Sequence, residues 1–114
     1  MKNEHLYKKL KYELALSYLY NTNKYHKFST QVVCHVCKCF NVEFTNWRFD
    51  VITNCAYSFI SRMREHTSCF YITNEILTDY AHAHHIRLYD MEESKLVNPV
   101  QYTISQYQII QTKL

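Results

Sequence analysis

The chain has no glycine and a single proline in 114 residues. Loops that cradle phosphate in ATPases, kinases and dinucleotide enzymes need glycine where the backbone must approach the ligand closely. The nucleophile elbow of α/β-hydrolases needs it for a strained turn. None of those enzyme classes is therefore expected. The longest apolar runs are a few residues, far short of the roughly 20 that span a bilayer as a helix, so no membrane association is expected. The N-terminus starts basic but mixes Glu13, Ser17 and tyrosines into its apolar part. It has neither the hydrophobic core nor the small-residue cleavage site of a signal peptide, and an intracellular location is expected, in cytoplasm or nucleus.

What is present is a chain rich in tyrosine (eleven), histidine (seven) and cysteine (five), with 47% hydrophobic residues and a net charge of +3. That apolar content supplies a core, and the length suits one domain. Phe, Tyr, Met, Ile, Asn and Lys account for 45 residues, and Gly, Ala, Arg and Pro for nine. The first group is read from AT-rich codons, so an AT-rich genome is expected, with a viral origin favoured.

Residues 1–27 hold six lysines against two glutamates, while residues 28–114 are close to neutral. Leu6, Tyr7, Leu10, Leu14 and Tyr18 recur at 3/4 spacing and predict a basic helix over 3–20. Asn21–Thr22–Asn23 reads as its stop. Val32, Val33, Val36 and the alternating Val42/Phe44 predict two short strands, about 30–35 and 41–45, joined by a cysteine-bearing turn. A helix over 50–66 follows, capped by Asp50, with Val51, Cys55, Phe59 and Met63 along one side. Thr73 opens another, which runs through Ile76, Leu77, Tyr80 and Ala81 towards His85. Asp90 and Glu93 suit a capping box. After Asn98–Pro99, Val100, Tyr102 and Ile104 alternate as a half-buried strand should. The expected fold is one α+β domain over 1–114, with helices packed on a short β-hairpin carrying a zinc knuckle; an all-α bundle is the alternative. Within it, 1–27 is the basic helix, 28–72 the zinc-binding core, and 73–114 a helix plus a C-terminal strand.

The sharpest constellation is Cys34-x₂-Cys37 followed by His66-x₂-Cys69. A Cys-x₂-Cys pair lets two sulfurs reach one ion from a tight turn, and a second pair three apart can do so from a helix end. Four N/S ligands would close a structural Zn²⁺ tetrahedron with no vacancy for substrate. Cys39 and His35 are competing donors. Reduced, buried thiols that pack as small hydrophobes are the plainer alternative. His82, His84 and His85, with Asp79 upstream, form a second histidine group, more simply explained as a polar helix end.

The order Val32-x-Cys34-x₂-Cys37, then Trp47, Glu65-His66 and Cys69-Phe70-Tyr71-Ile72, resembles a baculoviral inhibitor-of-apoptosis repeat over residues 32–72. That resemblance implies a Cys-Cys-His-Cys zinc used for protein contacts; the family's glycines are absent here and the spacings differ. The expected function is a non-enzymatic, zinc-stabilised protein-interaction module, without a small-molecule substrate. It would bind a protein partner, or a second copy of itself through residues 100–104. The alternatives are a nucleic-acid-binding regulator using Lys8, Lys9 and Lys11, and a small Cys/His hydrolase.

Overall fold

The computed structural model describes residues 2–98. Four helices, α1 (Lys2–Tyr25), α2 (Ser29–Cys39), α3 (Asn46–Thr67) and α4 (Asn74–Ala83), precede a two-stranded antiparallel hairpin, β1 (Tyr89–Asp90) and β2 (Lys95–Leu96). Tyr89 pairs with Leu96 and Asp90 with Lys95. The domain is thus mostly helical, with one minimal hairpin. No described helix is long and apolar enough to cross a membrane.

Helix α1 is the centre of the fold. Residues 13–18 are all buried, and so are Tyr20 and Asn21. Six consecutive buried residues exceed what a one-sided amphipathic stripe can hide. The helix must be covered from several directions, and α2, α3, α4 and β1 all pack against it. This burial changes the expected boundaries. The helix continues past Asn21 to Tyr25, because Asn21 is fully buried and serves as a connector rather than a stop. Tyr7, expected on the apolar stripe, is exposed.

Residues 29–39 form a helix where a strand and a cysteine-bearing turn were expected. Val32, Val33, Val36 and Cys37 are completely buried, at the 3/4 spacing of a helix face. β-branched residues favour strands only weakly, and burying four side chains on one helical face outweighs that preference. Residues 42–45 lie in the connection to α3, outside any strand. No hairpin exists at 28–47, so the zinc-knuckle architecture expected there is replaced by a helix and a loop.

Helix α3 starts four residues earlier than Asp50. Thr45 is its cap, and its hydroxyl accepts the Arg48 amide at 3.1 Å. The buried line is Ile52, Ala56, Phe59 and Met63, so the core line falls one position beyond the expected Val51 and Cys55. In α4, Thr73 caps by accepting the Ile76 amide, and Leu77 and Ala81 face the core. The expected strand at 100–104 lies outside the described residues.

Without glycine, other residues take the left-handed turns: His26, Asn41, Ser68, His85 and Ser94 all have φ between 52° and 58°. Each follows a helix or closes the hairpin turn. Left-handed backbone costs a residue with a Cβ about 1–2 kcal/mol. The fold carries this cost at every helix exit.

The hairpin is held to α1 by polar contacts. The Asn21 side-chain amide donates to Ser17 O (2.6 Å) and Tyr89 O (2.7 Å), and its carbonyl accepts the Met91 amide (2.9 Å). The Ser17 hydroxyl accepts the Tyr89 amide at 3.0 Å. Buried Asn98 closes the segment, accepting the Leu88 amide and donating to Ile86 O, both at 2.7 Å. Arg87 grips the buried Glu13 carboxylate with two nitrogens, Nη2 at 3.1 Å and Nε. Asp90, fully buried, accepts from Lys24 Nζ (2.8 Å) and Tyr25 Oη (2.5 Å) and from the amides of Glu92 and Glu93. Asp90 therefore does cap a turn, its carboxylate accepting the amides two and three residues on, those of Glu92 and Glu93.

Candidate functional site

The loop between α3 and α4 carries the most exposed pair of adjacent aromatic rings among the described residues. Phe70 is 69% exposed and Tyr71 80%. Their rings meet edge-to-face at 5.2 Å. The loop is held at both ends. On the α3 side, Ser68 turns left-handed and its amide caps Arg64 O at 2.9 Å. Thr67 Oγ1 donates to Met63 O (2.7 Å) and accepts the Cys69 amide (3.3 Å). Arg64 reaches forward, with Nε on Phe70 O at 2.9 Å and its guanidinium 4.8 Å from the centre of the Phe70 ring.

On the α4 side, Asn23 of α1 donates to Ile72 O (3.2 Å) and Asn74 Oδ1 (3.1 Å). Asn74 in turn donates to Tyr20 O at 3.3 Å. Two aromatic side chains are thus presented to solvent on a loop whose backbone is fixed from both flanking helices and from α1. In the sequence Phe70 and Tyr71 stand only within the resemblance over residues 32–72, and nothing local marks them as an exposed tip. Its trace is the short apolar run Cys69–Ile72, too short for an element and placed between two helix signals.

The cysteines have separate fates set by helix phase. Cys37 is fully buried in the core, Cys34, Cys39 and Cys55 are half-buried, and Cys69 is exposed; none is in a disulfide. Burial pushes the thiols of Cys37, Cys39 and Cys55 above their ordinary value, which disfavours the thiolate a metal requires. His66 sits exposed in the last turn of α3, and Cys69 in the loop beyond it. Among the described residues, no three His, Cys, Asp or Glu side chains gather closely enough to hold a metal ion.

Cys34 and its neighbour His35 do share a surface, the wall of an open cavity of about 530 Å³ that also meets Lys38, Phe44 and Met91. His82, His84 and His85 are exposed at the end of α4, and the His84 ring lies 4.2 Å from that of Tyr80, one turn earlier. Of the lysines singled out, Lys8 is exposed, Lys9 is half-buried, and Lys11 is half-buried with Nζ 5.7 Å from the centre of the Tyr12 ring.

Compared with family models, curated proteins and solved structures, the chain matches none.

Proposed function

We propose that this protein is a non-enzymatic interaction module that docks on a protein partner through the Phe70–Tyr71 tip. The observation that supports the reading is the pair's exposure on a loop fixed from both sides. Large apolar rings in water forgo about 25 cal/mol for each Å² that burial would recover. Aromatic residues and arginine are the side chains that most often anchor protein interfaces. Because the loop is already held by Arg64, Asn23 and Asn74, little ordering entropy would be lost on binding. The complementary surface would offer an apolar pocket for the two rings, rimmed by acceptors for the remaining Arg64 donors.

Zinc is left out of this reading. A site at Cys34, Cys37, His66 and Cys69 would need Cys37 drawn from the core and its raised thiol ionised. A viral origin and an intracellular setting belong to the same proposal and rest on the composition and cysteine content of the chain.

The test is selection of peptides from a display library on immobilised full-length protein, repeated with Phe70→Ala/Tyr71→Ala. Sequences enriched on the parent and lost on the variant, with unchanged circular dichroism, are expected. Equal enrichment on both proteins would reject the tip as the docking element.

A further inference from the structure

A second feature lies between α1 and α3, apart from the aromatic tip and independent of the docking proposal. Successive positions on α3 form two adjacent ridges. Val51, Cys55 and Phe59 make an apolar ridge, whose Phe59 meets Tyr12 of α1, and Asn54, Ser58 and Arg62 a polar ridge beside it. Spacing of four residues puts each set in line on the helix surface. Between these ridges and Lys11–Tyr12 of α1 is a cleft of about 360 Å³. Its volume lies in the range of small-ligand sites, which combine apolar walls with a few convergent polar groups.

The charged side chains that line this cleft among the described residues are of one sign. Lys11 comes from α1 and Arg62 from α3, and no carboxylate lines the space among the described residues. Neither cation has an ion-pair partner among the described residues, whereas Lys24, Lys27, Arg87 and Lys95 each have one. Instead each cation lies against an aromatic ring: Lys11 Nζ is 5.7 Å from the centre of Tyr12, and the Arg62 guanidinium 5.8 Å from that of Phe59. Those two rings meet edge-to-face at 5.0 Å. Both cations also act on the half-buried Cys55 thiol, which burial raises and their charges pull back.

We infer that the α1–α3 cleft binds a small organic phosphate monoester, its phosphoryl group between Lys11 and Arg62 and its organic part against Val51 and Tyr12. Two cations, one from each helix that lines the cleft, suit a dianion better than a carboxylate. A guanidinium offers paired donors to phosphate oxygens, and an ammonium adds a point charge. The Asn54 side-chain amide lies along the same edge as a neutral donor, while the Ser58 hydroxyl donates to the Asn54 backbone carbonyl at 3.2 Å. The module is expected to have no small-molecule substrate; the cleft is given a ligand, and no reaction is assigned to it.

The experiment is titration of the full chain with phenyl phosphate, followed by calorimetry and by amide chemical-shift mapping. Saturable binding is expected, with shifts centred on residues 11–12 and 51–62. Lys11→Ala and Arg62→Ala should each weaken it about tenfold or more, the scale of one charge-assisted hydrogen bond. Lys8→Ala, outside the cleft, should leave it unchanged, and all three variants should keep the parent circular dichroism. Absence of saturable binding would overturn the proposal. So would equal binding of benzoate or of inorganic phosphate alone, or equal weakening by Lys8→Ala, which would mark unspecific attraction. If either cleft variant fails to fold, Arg62→Lys provides the comparison. It should fold and bind more weakly, and parental affinity in that variant would overturn the role given to the guanidinium.

Discussion

Replacing Asp90 with asparagine removes a charge on which the attachment of the hairpin to α1 converges. The carboxylate is fully buried and accepts four hydrogen bonds, from Lys24, Tyr25 and the amides of Glu92 and Glu93. Burial by itself would raise its pKa. The hydrogen bonds from Lys24 and Tyr25, then those from the two amides, outweigh burial and hold it lowered from 3.8 to about 2. At 1.36 kcal/mol per pH unit, the ionised group contributes about 2 kcal/mol to folding.

The sign follows from a depressed folded-state pKa. The contribution is fully present above about pH 4 and is lost as pH falls towards 2. Asp90→Asn keeps the shape and one acceptor but not the charge, so it should lose about 2 kcal/mol at pH 7, a fall in Tm of roughly 10 °C for a domain of this size. Urea unfolding followed by circular dichroism at pH 7, 4, 3 and 2 measures it. The gap between parent and variant should shrink below pH 4 and nearly close at pH 2. Asp79→Asn, at an exposed position on α4, should stay within about 0.5 kcal/mol of the parent throughout. A gap at pH 7 below about 0.5 kcal/mol, or one that persists undiminished at pH 2, would refute the reasoning.

Other outcomes follow from particular residues. Phe59→Ala should cost about 3–5 kcal/mol in denaturant unfolding, since the ring is 2% exposed and packs edge-on against both Tyr12 and Tyr80. Ser68→Gly should stabilise the protein by up to about 1 kcal/mol by relieving a left-handed turn at the end of α3, read as a raised Tm. Glu13→Gln should destabilise by about 1–3 kcal/mol, because the buried Glu13 side chain would no longer carry the charge that the Arg87 guanidinium meets. Exhaustive treatment with a chelator should leave Tm unchanged and recover no stoichiometric zinc. A matched loss of zinc and fold would instead restore the Cys34, Cys37, His66 and Cys69 site.

Three helices were legible along the chain because their burial is local and periodic. The 3/4 spacing through Leu10, Leu14 and Tyr18 and the fourfold repeat through Phe59 and Met63 each recur over several turns. Thr73 announces α4 because a threonine hydroxyl before a helical pattern has an amide to satisfy. Helix α2 was not legible. Val32, Val33 and Val36 are β-branched, the run is short, and only contact with α1 and α3 decides that four of its side chains turn inward on a helical face.

The same holds for the five cysteines. A Cys-x₂-Cys spacing suits a metal turn and a helix equally well, and helix phase then sends Cys37 into the core and Cys34 to a cavity wall. The long-range polar contacts left no trace at all. Asp90 meets Lys24 and Tyr25 across more than sixty residues, and Arg87 meets Glu13 across 74. Nothing in either local stretch specifies the other. Sequence alone determined where helical periodicity runs and that residues with a Cβ must take every left-handed turn. Tertiary structure decided which polar residues sit inside, how the tip is held, and that Lys11 and Arg62 line one cleft. Local patterns fix which residues share a face of one element, whereas meetings between elements depend on how those faces pack.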